Sequence, residues 1–568
     1  MDSQERLRHA IDQEHHRLRG SVPPDRAAAI LALLRARDRL APRPDFEPQP
    51  DLITGCRLDD AGGNLTLRLC LEATGDDARG VPTVPGGGWD DWAERFVRQC
   101  AAVATADLVR SHGETGFMRL VDDGAGTFDA WIATKQVPAS WRERADIDWW
   151  ASLLAGQQGA ELTAGASAQP ALTPLPPPIG YPAPIAMGEG DAAQRVSTSD
   201  RAHVVAGGGA HGEHMDCGRL ADTYLKMMSY QLGYPPDATI DGCTVRTYSD
   251  VLRQLIAWAL QARDRGEAAT PHTERDLVAT LAAALGIDPS MVNRAVTAFT
   301  LDRENAAWHA AVPGVAAAPL VRVAPDRLVW SLYGLTTEPF FFLTRELRRR
   351  NAEAYHNSAY LREDVFRQEL YALFADKRFV TSTGRITLRR AGGDVRTDID
   401  AAIFDRKTGT LGLFELKSPD PFARSPAELA RQRDNVLYAN RQISGVLTWL
   451  NTHGGDEILN RVDSQTAKRF RVQKVYPFVL GRYLVHFNDG PAPDPRAAWG
   501  TWPQLLRLHE GQPSGSTANP IASLFARLKK DTPLAYPIAA GRREIALGDA
   551  RLTVHPSYAA FQASAGNR

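Results

Sequence analysis

A chain of 568 residues, 43% hydrophobic and 23% charged, exceeds what one core organises, so three or four domains with sizeable cores are expected. Its 66 Lys+Arg balance 67 Asp+Glu over the whole chain, and five scattered cysteines exclude a disulfide framework. The start Met1-Asp2-Ser3-Gln4-Glu5-Arg6 is polar, and no apolar run approaches the roughly 20 residues that span a bilayer, so a soluble cytoplasmic protein with no membrane partner is expected.

Residues 1–155 form an expected α+β domain of unknown role. Asp25 follows Pro23-Pro24 and opens a helix with Ile30, Leu33 and Leu34 on its apolar side. Leu65, Leu67, Leu69 and Leu71 alternate as a strand would, and Trp89 to Val109 has helical spacing. Residues 156–201 turn to Ala, Pro, Gly and Thr, including Leu175-Pro176-Pro177-Pro178, the composition of a linker.

Residues 202–340 are expected to be mainly helical. His211, His214 and Cys217 have a spacing that could suit zinc, with His203 or Cys243 as a fourth ligand. No second paired-ligand motif follows, which favours a Gly-rich loop leading into a helix. The segment 281–299 resembles a helix-turn-helix, with Gly286 at the turn and Asp288 or Ser290 capping the second helix. On that reading Ser290, Asn293 and Arg294 face nucleic acid; a plain helical hairpin is the alternative, because the second helix carries only one basic residue.

Residues 341–490 hold the chemical signature. Arg345, Arg348, Arg349 and Arg350 precede a helix over Leu361 to Phe374, whose Phe366, Leu370, Leu373 and Phe374 keep amphipathic spacing. A strand from Arg378 to Arg390, a turn at Ala391-Gly392-Gly393-Asp394, and a strand from Val395 follow. That strand runs through Asp398 and Asp400 to Phe404 and turns back as Leu411 to Leu416, a hairpin. With Thr408-Gly409 as its loop, Asp400 falls opposite Lys417 with Glu415 as the diagonal neighbour, all within about 5–8 Å on one face. Two carboxylates and an ammonium on one face are costly unless a hard cation is held there, and Mg2+ (or Mn2+) suits one or two carboxylates plus water and phosphate oxygens.

Beyond Lys417, Ser425-Pro426-Ala427-Glu428 caps a helix expected to run toward Leu450. Lys474 to Leu480 is a strand, with Pro477 suggesting an edge or bulge and Tyr483 to Phe487 beside it. Residues 491–568 form a Pro- and Gly/Ser-rich C-terminal extension with a short helix at Ala522 to Lys530. Residues 341–490 carry 25 basic against 18 acidic side chains, so this segment is the basic part of a balanced chain. Arg349, Arg350, Arg389, Arg390 and Arg396 lie where phosphates could be tracked.

Thr397-Asp398-Ile399-Asp400 followed by Phe414-Glu415-Leu416-Lys417-Ser418, with the helices on either side, resembles the PD-(D/E)xK nuclease superfamily over roughly residues 355–488. The namesake Pro-Asp dipeptide is absent, since Thr397 precedes Asp398 and Ile399 precedes Asp400, which leaves open whether Asp398 takes part. The resemblance implies a multidomain α/β (α+β) protein in which a restriction-endonuclease-like core, a mixed central sheet flanked by helices, is joined to α-rich N-terminal domains. It further implies that Asp400, Glu415 and the Leu416 backbone carbonyl hold the cation and that Lys417 orients the attacking water. A carboxylate on the first helix, Glu369 with Glu363 as the competing choice, completes such a site, and Gln432 and Tyr438 look like the Gln and Tyr of several branches.

The expectation is a metal-dependent DNA nuclease, in restriction or defence against foreign DNA, or in repair. A homodimer or a protein partner through the N-terminal domains stays open. The rival is a catalytically silent nuclease-like scaffold that binds DNA without cutting it.

Overall fold

The computed structural model describes residues 2–39, 58–73, 88–114, 118–132, 146–147, 149–151, 153–154, 216–267, 270–311, 317–389, 395–418, 426–487, 491–510, 519–531 and 542–555. They form a mixed α/β molecule, and among them no helix is long and apolar enough to cross a membrane. The linker 156–201, His203, His211, His214 and Arg390 lie outside the described residues.

Near the N-terminus, helices Ser3–Gly20, Arg26–Asp38, Leu58–Glu72 and Gly88–Glu114 pack on one another. Asp25 caps the second by accepting the Ala28 N–H at 2.9 Å, as its sequence context suggests. Leu65, Leu67, Leu69 and Leu71 lie in a helix, not the expected strand. All four are buried, so helices surround that segment and an alternating pattern no longer discriminates strand from helix. Gly62 makes the close packing possible, since a Cβ there would meet the Ala101 backbone nitrogen at 2.5 Å.

The expected C-terminal extension divides between two layers. Its hairpin, Arg543–Leu547 with Ala550–His555, joins the Met118–Asp122 and Thr127–Ile132 hairpin in a four-stranded sheet, Ala550–His555 running parallel to Thr127–Ile132. Its earlier part, strand Ala498–Thr501 with helices Trp502–Glu510 and Pro520–Lys530, belongs to the central sheet described below.

Residues 216–347 surround the buried helix Val245–Asp264 with a second hydrophobic core. The expected helix pair is present as Glu274–Leu285 and Pro289–Ala298. Gly286 caps the first in the left-handed conformation (φ 64°), and Asp288 caps the second by accepting the Ser290 N–H at 2.8 Å. Ser290, Asn293 and Arg294 are exposed along it. Cys217 and Cys243 are both buried in the same apolar core, and burial pushes both thiols up, the behaviour of small core residues.

The central sheet has five strands in the order Ala498–Thr501, Lys474–Gly481, Thr410–Lys417, Ala401–Asp405, Phe379–Thr381. The first three run parallel to one another, and the last two are antiparallel to their neighbours. Alternation sorts its side chains: Ala401, Ile403, Phe414, Leu416, Phe478 and Leu480 pack with Phe366 and Leu370 of helix Ala359–Ala372. Ala402, Phe404, Leu411 and Leu413 pack with Val446 and Trp449 of helix Ala439–Val462 on the other side.

Three local expectations change. The single strand from Arg378 becomes Phe379–Thr381 in the central sheet and Ile386–Arg389, which pairs with Val395–Ile399 in a separate two-stranded ribbon. The helix from Pro426 stops at Leu437, and Ala439 begins another, bent at Gly454 (φ 78°). Lys474–Gly481 lies between two parallel strands, Tyr483 to Phe487 adds none, and Ala498–Thr501 pairs from Phe478 onward, one residue past Pro477. A proline there therefore breaks no ladder on that side.

Candidate active site

The hairpin register sets the site. Asp405 pairs with Thr410 and Ala401 with Phe414, so the connection is Arg406 to Gly409, with Gly409 at φ 65° donating its N–H to the Asp405 carbonyl at 2.9 Å. Continuing this ladder sets Asp400 across from Glu415 and makes Lys417 the diagonal neighbour, the reverse of the expected pairing. A register change of this size keeps side-chain parity, so the same three groups still share the face covered by helix Ala439–Val462.

Asp400 occupies the bend between ribbon strand Val395–Ile399 and sheet strand Ala401–Asp405. The bend turns its carboxylate across to the neighbouring strand, where Oδ2 accepts the Leu416 N–H at 2.9 Å. Lys417 Nζ donates to Glu415 Oε1 at 2.6 Å and to Gln442 Oε1 at 2.8 Å. Asp400 is 7% exposed and Glu415 4%, while Lys417 remains partly accessible. Two buried carboxylates thus share one ammonium.

That imbalance appears in the proton affinities. Burial, and then the negative charge of Asp400, push the Glu415 carboxyl up to about 8. Burial likewise raises Asp400, against the Leu416 N–H and Lys417, which favour its charged form. Each carboxyl bears on the other, so the pair resists carrying two negative charges at once. The Ser418 hydroxyl, next along the strand, is buried with no hydrogen-bond partner among the described residues.

One of the expected site residues is engaged elsewhere. Glu369 forms a bidentate ion pair with Arg482, at 2.8 and 3.1 Å. The helix carboxylate that senses the site is Glu363: burial and then the charge of Asp400 raise its pKa, while Lys417 lowers it. Gln432 is buried on helix Pro426–Leu437, and the glutamine bonded to Lys417 is Gln442 on the following helix. Helical phase around Phe366 and Leu370 was the signal for Glu363; for Gln442 the sequence offered none. Asp398 is ion-paired with Arg385 at 2.7 Å on the ribbon.

The arginines expected at phosphates are partly engaged within the chain. Arg349 is held by Glu346 at 2.7 and 2.9 Å, and Arg350 pairs with Asp241 at 3.1 Å. Arg345 is buried against the Trp308 ring. Arg389 is exposed at the end of the ribbon, and the Arg396 side chain lies outside the described residues.

Chemically, the cluster has the donor set for a hard divalent cation: Asp400 and Glu415, with Glu363 close enough to feel the charge of Asp400. Among the described residues no group of three or more His, Cys, Asp or Glu side chains is already arranged around a metal position. What fits a cation here is the pair of buried carboxyls, whose raised proton affinities mark the cost of charging both without one. Neither a family model, nor a curated protein, nor a solved structure matches the chain.

Proposed function

We propose that the chain is a divalent-cation-dependent nuclease with a restriction-endonuclease-like core, hydrolysing phosphodiester bonds of DNA. The observation that carries this reading is the pair of buried carboxylates, Asp400 and Glu415, sharing the single ammonium of Lys417 at the end of the central sheet. Structural ion pairs are normally balanced; a buried surplus of negative charge beside an accessible lysine is the arrangement of a cation site.

Asp400, Glu415 and the Leu416 carbonyl would hold Mg2+ or Mn2+, which when bound polarises the scissile phosphate and lowers the pKa of its water. The Leu416 N–H fixes the Asp400 carboxylate, and Gln442 holds Lys417 where its ammonium can orient a water and offset developing negative charge. Glu363, on the first helix, would help order the water shell of a bound ion. Lys417, bonded to Glu415, acts as an orienting cation in this scheme.

DNA as substrate is favoured by the seven-charge basic surplus of residues 341–490 and by the exposed Ser290, Asn293 and Arg294 on the helix pair. The test is incubation with plasmid, linear and single-stranded DNA and with RNA, in Mg2+, Mn2+ or EDTA. Cation-dependent cutting of DNA that disappears in Asp400→Ala and Lys417→Ala is the expected result. Equal cutting by the wild type and both variants would put the active site elsewhere; binding without cutting in every condition would favour the silent scaffold.

A further inference from the structure

The two-stranded ribbon that leads into Asp400 has two unlike faces. Ile386, Leu388 and Ile399 pack with Val446 and Trp449 of helix Ala439–Val462. The same helix holds the ribbon backbone: Trp449 Nε1 donates to the Arg389 carbonyl and Arg461 Nη1 to the Thr387 carbonyl, both at 3.0 Å. Alternation turns Arg385 and Thr387 the other way, and both are exposed, as is Arg389 at the ribbon's end.

Ribbon register brings Arg385 to the acidic site. Ile386 pairs with Ile399 and Thr387 with Asp398, so one step further along the ladder Arg385 falls across from Asp400, with Asp398 as its diagonal neighbour. The diagonal partner holds it: Arg385 Nη1 donates to Asp398 Oδ2 at 2.7 Å, the two side chains being 51% and 26% exposed. The hydrogen bond to Asp398, and then the charges of Asp398, Asp400 and Glu363, raise the guanidinium pKa, and Arg385 in turn lowers that of Glu363. Arg385 is thus a solvent-reaching cation at the rim of the carboxylates, whereas Lys417 lies among them.

We propose that Arg385 is the DNA-phosphate contact at the mouth of this site and that Asp398 is its latch, a role that rests on the nuclease reading above. When DNA binds, the guanidinium leaves Asp398 and takes a phosphate of the bound strand; in the free protein Asp398 stands in for that phosphate. A cluster of carboxylates repels a polyanion, so the DNA backbone needs a cation at the rim, and the planar fork of arginine matches a phosphate. An exposed ion pair is weakly held and screened by salt, so it can exchange one anion for another.

The experiment follows binding of a fluorescein-labelled DNA duplex by anisotropy in Mn2+, using the full chain with Asp400→Asn so that the duplex stays uncut. On that background Arg385→Gln should weaken binding about tenfold and lower the slope of log Kd against log salt by about one, while Arg385→Lys, which keeps the charge, keeps the slope. Asp398→Asn should tighten binding about threefold, and only while Arg385 is present. No binding of the duplex, an affinity and slope that Arg385→Gln leaves unchanged, or an Asp398→Asn gain that is equal with and without Arg385 overturns the inference. Cutting by Asp400→Asn as fast as by the wild type would instead overturn the nuclease reading of the Asp400–Glu415 site, and the latch with it.

Discussion

Two neighbouring parallel strands end side by side in charged residues, yet on opposite faces of the central sheet. Thr410–Lys417 turns Glu415 and Lys417 toward helix Ala439–Val462; Gly481, paired with Lys417, is followed by Arg482, whose guanidinium lies over Phe366 of helix Ala359–Ala372. The Arg482 N–H even donates to the Lys417 carbonyl at 2.7 Å. On one face the ledger of charge is even, Arg482 with Glu369; on the other, two carboxylates face one ammonium. The difference teaches where to look for chemistry: a matched buried pair serves the fold, whereas a surplus must be relieved by a proton or a cation.

The largest expected effect separates the faces by activity. Asp400→Ala or Lys417→Ala should lower cation-dependent cleavage about a thousandfold while leaving the melting temperature near the wild-type value. Glu369→Ala should do the opposite. Stranding the buried Arg482 charge costs roughly 3 kcal/mol of stability, read in a denaturant titration, with cleavage per folded molecule unchanged. If instead Glu369→Ala kept full stability and lost cleavage, the two faces would have been assigned the wrong way round.

A smaller effect, about ten- to a hundredfold in cleavage rate, is expected for Glu363→Gln and Gln442→Ala, which touch the site through water or through Lys417. The smallest concerns pH. Glu415 is raised from the ordinary carboxylate range to about 8, so without cation its contribution to stability is full below the unfolded value and is lost as pH rises toward and through 8. Divalent cation removes the need for that proton. Thermal melts should therefore show a larger stabilisation by Mn2+ at pH 8.5 than at pH 6, and Glu415→Gln should erase the difference.

Much of the site was legible because it is local. The Asp400 to Lys417 hairpin is one short excursion of chain, and side-chain parity survives the change from a two-residue to a four-residue connection, so the convergence held although the register did not. Glu369 was misplaced because amphipathic spacing identifies the buried stripe of a helix, while which flank meets which charge is fixed by Arg482, far along the sequence. Gln442 escaped notice for a related reason, since the break after Leu437 resets the phase of the second helix. The alternating leucines at 65–71 misled because a helix enclosed by helices needs no polar face. The sheet joining residues 118–132 to 543–555 rests on pairing between strands at opposite ends of the chain, which no local pattern encodes.

The most direct test is calorimetric titration of Mn2+ into the wild-type protein, Asp400→Asn and Glu415→Gln at pH 8. The account predicts saturable binding to the wild type that both substitutions weaken at least about tenfold, with proton release that grows with the ionisation enthalpy of the buffer. Binding of equal affinity in all three proteins, or no saturable binding to the wild type, would contradict it.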